Sequence, residues 1–283
     1  MKHYIELTKP RITWLILMST GVGYFFGLNR GTPLNWSLLI HTLVGTGLIA
    51  SGTAALNQWW ERESDALMRR TASRPLPMGL LTAKRALWFG IGLAVAGAVE
   101  LALWVNVLSA ILGAITLAAY LFVYTPMKRL TTLNTVIGAI AGAIPPVMGW
   151  TAVHNSLGRE AAVLFCILFF WQMPHFLAIA ILYRRDYEAG GFKMLPVVDR
   201  DLFVTGRQIV LYNAALIPIT LMPTLFRMTG TVYFIAAMVL GLAYLSFGII
   251  CAATRQRADA RKLFFCSIIY LPLLLAVMML DKL

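Results

Sequence analysis

Asn57, Glu61 and Asp65 stand four residues apart in the stretch Asn57-Gln-Trp-Trp-Glu61-Arg-Glu-Ser-Asp65, where an apolar run meets a basic one. On a helix, positions i, i+4 and i+8 share one face. The three side chains would form an oxygen-rich stripe roughly 12 Å long, at about 1.5 Å per residue. Like charges one turn apart oppose a helix unless something positive sits between them. A divalent cation supplies that charge, and Mg²⁺ favours one or two carboxylates plus substrate phosphates. The competing reading is a solvated helix end whose acids balance nearby arginines.

The residues that follow favour phosphate chemistry. Arg69-Arg70-Thr-Ala-Ser-Arg74-Pro75-Leu-Pro77 presents guanidinium forks, which match phosphate oxygens bidentately, on a loop stiffened by two prolines. A second basic loop reads Tyr183-Arg184-Arg185-Asp186-Tyr187-Glu188-Ala-Gly190-Gly191-Phe-Lys193. Its Asp186 would complete a metal site with the first loop, or else form an exposed ion pair with Arg184 or Arg185. Gly190-Gly191 allows a sharp turn. A third spot is Tyr124-Thr-Pro126-Met-Lys128-Arg129 followed by Asn134, where Lys128 suits a diphosphate as a point charge or serves as an ordinary membrane anchor. His175 lies in Trp171-Gln172-Met173-Pro174-His175-Phe176, inside an apolar run. An ionisable residue within a membrane span is a functional candidate by default. Its plain alternative is a hydrogen bond to the carbonyl freed by Pro174.

The elements that must hold these residues are membrane helices. The chain has 283 residues, 59% hydrophobic and only 13% charged, with mean hydropathy +0.76. A soluble domain carries about 25% charge. Apolar runs near 20 residues recur from end to end, and no large soluble domain fits between them. Nine spans are expected, at approximately 11–28, 36–58, 85–104, 107–125, 132–151, 161–182, 206–226, 231–253 and 263–280. Pro145-Pro146 is expected to break the fifth, Pro174 lies inside the sixth, and Pro218 and Pro223 lie inside the seventh.

With the N-terminus in the cytoplasm, all but four of the 24 basic residues fall on the inner side. The four are Arg30, Arg159, Arg227 and Lys282. The net charge of +12 is thus spread over short inner loops, which argues against a nucleic-acid partner. The first residues lack the pattern of a cleaved signal, so the first helix is expected to remain and insert the chain. Cys166, Cys251 and Cys266 lack metal-ligand spacing and read as small core residues. The two long basic loops recur four spans apart. That layout suggests a pseudo-repeat of residues 1–130 and 131–255, with an extra helix at 262–281, in a single domain spanning 1–283. Duplicated halves often place a site at their interface.

Carboxylates, arginines and a magnesium ion at a membrane surface suit a lipid diphosphate. Metal and guanidinium groups would stabilise the departing diphosphate. The allylic cation left behind needs aromatic walls, for which Tyr124, Tyr183, Tyr187, Trp59 and Trp60 are candidates.

At these residues the chain resembles the UbiA-type membrane-embedded prenyltransferases, and within them the haem O synthase branch. The resemblance rests on Thr8-Lys9-Pro10-Arg11, on Asn57-xxx-Glu61-xxx-Asp65 with Arg74-Pro75-Leu76-Pro77, and on Asn134 after Lys128-Arg129. Trp171-Gln-Met-Pro-His175-Phe176, Tyr183-Arg-Arg-Asp186-Tyr187 and Met194-Leu195-Pro196 extend it over almost the whole chain. The resemblance implies an all-α polytopic fold of nine helices around a central cavity, in a bacterial inner membrane with the N-terminus cytoplasmic. The implied reaction transfers farnesyl from farnesyl diphosphate to a vinyl group of haem b, with addition of water. It also implies membrane lipid and a terminal oxidase assembly pathway as partners. Mg²⁺ would be held through Asn57, Glu61, Asp65 and Asp186. Arg74, Lys128, Arg129, Arg185 and Asn134 would attend the diphosphate. His175, Gln172, Tyr124, Tyr183 and Tyr187 would line the cavity, with His175 positioning haem.

Two positions depart from the pattern. Gly190 replaces an acid common four residues after the first in the second motif, which points away from a symmetric two-metal site. Glu61 stands where aspartate is usual. The competing functions are prenyl transfer to an aromatic ring, as in quinone synthesis, and secondary transport. A transporter would carry its coupling acids near midplane, whereas here they sit at loop mouths.

Overall fold

The computed structural model describes residues 1–29 and 31–283, and it is helical throughout its framework. Arg30, one of the four expected outer-side basic residues, lies outside the described residues. A short helix α1 (Lys2–Leu7) leads into α2 (Pro10–Gly27) and the 32-residue α3 (Trp36–Leu67). Then come α4 (Ala83–Trp104) and α5 (Val107–Ala118). A π-helical turn (Ala119–Tyr124) joins α5 to α6 (Thr125–Leu130). The second half comprises α7 (Asn134–His154), α8 (Arg159–Leu182), the short α9 (Arg184–Ala189) and α10 (Leu195–Val198), α11 (Phe203–Leu225), α12 (Thr231–Thr254) and α13 (Arg257–Leu280).

Local chemistry sets several of these ends. Asn35, Thr82 and Asn106 cap α3, α4 and α5, each accepting a backbone N–H of the first turn at 3.1, 3.3 and 2.8 Å. Pro10 occupies the first turn of α2, where its missing N–H has no partner to lose. The expected break at Pro145-Pro146 does not occur: α7 runs unbroken through both residues. It is the most enclosed of the spanning helices, and packing on all sides supplies what the lost ladder bonds do not.

Among the described residues, eight helices are long and apolar enough to cross a membrane; α5 and α6 form one of them as a continuous rod. The remaining expected span, α2, is an 18-residue helix that buries Ser19, Thr20 and Tyr24 against its neighbours. Large apolar side chains such as Trp14, Leu103, Phe122 and Ile269 face outward, while Asn57, Glu61, Asp65 and Lys128 are buried. Polar inside and apolar outside is the pattern of a multi-pass membrane protein.

Helix pairs approach closely through small residues, as lipid-embedded packing requires. A Cβ on Gly23 would lie 1.9 Å from the Pro146 carbonyl oxygen, so α2 and α7 cross backbone to backbone. Gly52 plays the same part between α3 and α4, where its Cβ would sit 2.7 Å from the Ala94 nitrogen. The ring closes at one end through Lys282, which donates to the carbonyls of Phe25 (2.6 Å) and Leu28. The opposite end carries both long basic loops.

Candidate active site

Helix α3 does not stop where the membrane run ends. It continues unbroken to Leu67 and carries Asn57, Glu61 and Asp65 on one buried face. Each of the three meets a cation from a different part of the chain. Lys9 Nζ donates to Asn57 Oδ1 at 3.1 Å. Lys128 Nζ reaches Glu61 Oε1 and Oε2 at 2.8 and 3.1 Å. Arg74 Nη1 donates to Asp65 Oδ2 at 2.6 Å. The like-charge stripe inferred from spacing is thus neutralised residue by residue.

Lys9 sits between α1 and α2 in the left-handed region, with φ 48°. Tertiary contacts hold a non-glycine residue there against its usual preference. Desolvation lowers its pKa to about 7, with repulsion from Arg74 and Lys128 adding to the shift and Glu61 and Asp65 opposing it. Lys128 lies 4.5 Å from the centre of the Tyr124 ring and 5.5 Å from that of Phe192. Tyr124 belongs to the π-helical turn and packs against Tyr120, ring centres 4.9 Å apart. π-Helical turns mark functional sites often enough to be informative; here Thr125, directly after the turn, accepts from Asn57 Nδ2 at 3.2 Å.

The second loop joins the first. Asp186 Oδ1 accepts the Arg69 backbone N–H at 3.0 Å, across 117 residues of chain. An apolar knob of Met68, Phe192 and Met194 fastens the two loops beneath this bond. A Cβ on Gly190 would meet Met68 Sδ at 3.0 Å, so a side chain at 190 would have to push the Met68 side chain aside. Arg70 lies over Tyr183 and Tyr187, 5.0 and 5.7 Å from the ring centres, so these two tyrosines hold a loop arginine.

Other expected site residues stand elsewhere. Asn134 braces the second loop, donating to the carbonyls of Thr131 (2.5 Å) and Lys193 (3.1 Å). Gln172 braces α8, donating to Leu168 O at 3.0 Å and Ala139 O at 3.5 Å. Arg185 is exposed, and Arg129 donates to the Oγ of Ser64, a buried residue of α3. His175 points into the α8–α13 seam. Its Nδ1 lies 2.7 Å from Ser267 Oγ, and its ring stacks between Trp171 and Phe264. The expected partner, the carbonyl freed by Pro174, gives way to this serine.

Tyr120, Thr125 and Ser64 were not singled out from the sequence. Neither the π turn nor helix α6 leaves a local signature. Lys9 was visible only as part of a motif.

The donor set fits a hard cation. Asp65 Oδ1 is buried with no hydrogen-bond partner, and Asn57 and Glu61 add oxygens along the same face. Among the described residues no three His, Cys, Asp or Glu side chains converge on one point. Mg²⁺ is commonly held by one or two carboxylates together with waters and substrate phosphates.

Comparison with known proteins identifies the family. The UbiA prenyltransferase family profile matches residues 16–269. A protoheme IX farnesyltransferase of Solibacter usitatus is 56% identical, covering 100% of this chain and 99% of its own. Another, of Koribacter versatilis, is 48% identical over 100% and 94%. Among solved structures, a digeranylgeranylglyceryl phosphate synthase aligns with a TM-score of 0.79 at 16% identity, over 99% of this chain and 97% of its own. A UbiA homologue from Archaeoglobus fulgidus bound to DMAPP and Mg²⁺ aligns at 0.71 and 16% identity, over 98% and 99%. With its two loops joined over a helix of buried acids, the chain belongs to the UbiA prenyltransferase family.

Proposed function

We infer that this enzyme transfers a farnesyl group from farnesyl diphosphate to a vinyl group of haem b, with addition of water, giving haem O and diphosphate. The observation that carries the diphosphate half is the row of cation-matched oxygens on α3. The haem half rests on full-length similarity to protoheme IX farnesyltransferases.

Asn57, Glu61 and Asp65, with Asp186 at the edge, would hold Mg²⁺. The metal would supply charge neutralisation for the departing diphosphate. Lys9, Arg74 and Lys128 now face carboxylate and amide oxygens, and they turn to phosphate oxygens when the substrate arrives. Arg185, on the exposed flank of the second loop, adds a further guanidinium. Tyr124 and Tyr120 present ring faces beside Lys128, where an allylic cation would be shielded from water.

The side bearing both loops faces the cytoplasm of a bacterial inner membrane, an orientation that the positive charge of those loops supports. Nine spans, α2 included, then place the C-terminus outside. The two halves read as a pseudo-repeat on their layout, a long basic loop recurring four spans apart. Haem O leaves for terminal oxidase assembly.

Expression in a haem-O-deficient membrane, followed by mass analysis of extracted pigment, tests the reaction. Haem O should appear. A prenylated hydroxybenzoate in its place would establish the aromatic-acceptor reading.

A further inference from the structure

A cavity of about 510 Å³ lies on the flank of α3 that faces α6. Trp59, Trp60 and Phe192 give it flat apolar walls, and Arg62 and Arg129 contribute guanidinium groups. Trp60 is braced edge-on by Phe122, with ring centres 6.2 Å apart. Arg62 is held by Trp59 O (2.8 Å) and by exposed Glu63 (3.1 Å), and Arg129 by Ser64. A guanidinium has five N–H donors, so each retains capacity for an anion. Glu61 and Thr125 also line the cavity. These residues meet Lys128 and Asn57 at the diphosphate side, so cavity and acid row share a wall.

We propose that this groove is the acceptor site: it takes a planar tetrapyrrole with its two carboxylates at Arg62 and Arg129 and its vinyl edge inward, against Glu61 and Thr125. The assignment rests on the reaction inferred above. A protohaem carries its propionates on one edge and its vinyl groups on the opposite side of the ring. Anchoring the propionates at the guanidinium groups therefore aims a vinyl carbon at Glu61 and Thr125; Lys128, on turning from Glu61 to the diphosphate, opens this side so that the vinyl carbon meets the allylic carbon. The size falls in the range of small-molecule sites, about 300–1,000 Å³. Aromatic faces suit a flat macrocycle, and guanidinium–carboxylate pairs fix its orientation. His175, in the α8–α13 seam, is not part of this groove.

Optical titration of the purified full-length protein in detergent tests the assignment, using haem b and its dimethyl ester as probes. Wild type should bind haem b at least tenfold more tightly than the ester. Arg62→Gln/Arg129→Gln should remove that preference, and Trp60→Ala should weaken both probes. His175→Ala should retain the preference. Equal affinity of wild type for both probes overturns the proposal without any variant. So does a double variant that titrates as wild type, or loss of haem binding in His175→Ala alone. Wild type that binds haem yet makes no haem O from farnesyl diphosphate refutes the inferred reaction, a failure separable from misplacement of the site.

Discussion

Lys128 and Glu61 form a buried ion pair, Nζ lying 2.8 and 3.1 Å from the two carboxylate oxygens, with only 10% and 7% of the side chains exposed. Removing one member of such a pair strands the other charge, at a cost of about 3–5 kcal/mol. Replacing both removes the desolvation penalty along with the attraction. Lys128→Met is therefore expected to lower the unfolding midpoint strongly, and Glu61→Gln/Lys128→Met to regain most of it. Thermal unfolding of purified protein without substrate measures both. A double variant as unstable as the single one would show that the pair is not self-contained.

Asp65 holds Arg74 of the first loop, and Asp186 ties the second loop to the first through the Arg69 backbone N–H. Asp65→Asn and Asp186→Asn are each expected to reduce farnesyl transfer at least a hundredfold while the protein remains folded in the membrane. A hundredfold corresponds to only about 2.7 kcal/mol of transition-state stabilisation. Radiolabelled farnesyl diphosphate with haem b reads the rate. Full activity in both single variants would end the metal assignment.

Lys9 predicts a pH dependence of stability. Burial brings its folded-state pKa down from 10.5 to about 7. Between about pH 7 and 10.5 the unfolded chain binds a proton that the folded chain does not. Stability attributable to Lys9 therefore rises as pH climbs through that window, and the penalty is constant below it. Lys9→Met should flatten the slope. Denaturation midpoints near the two ends of the window, without metal, make the comparison; an unchanged slope would place Lys9 in contact with water.

The α2–α7 crossing depends on the absence of a side chain. Gly23→Ala would drive a Cβ to 1.9 Å from the Pro146 carbonyl oxygen, a backbone atom that cannot step aside. Overpacking typically costs about 1–3 kcal/mol, and more where backbone must shift. Gly92→Ala meets nothing within 4 Å and serves as the control. Membrane yield and unfolding temperature should fall for the first and hold for the second.

Membrane spans and the α3 stripe were legible in the sequence because both rest on local periodicity. A run of about 20 apolar residues has one stable solution in lipid, and four-residue spacing puts Asn57, Glu61 and Asp65 on one face wherever α3 lies. The chain also displayed its cations, since arginine and lysine in a loop are visible without a fold. It did not reveal which cation meets which oxygen. Lys9, Arg74 and Lys128 lie 48, 9 and 67 residues from their partners, and such pairings are set only when helices pack.

His175 shows the limit most directly. Its identity inside a span marked it as unusual, but a helix presents residues to every side. Only the docking of α13 turned it to Ser267 and away from the acids. Gly190 shows the same from the other direction: its departure from the family pattern was visible at once, while its close neighbour, the Met68 side chain, comes beside it only once the two loops close. Residue types and short-range spacing determined the kind of chemistry. Long-range packing, which no local pattern encodes, decided where its parts meet.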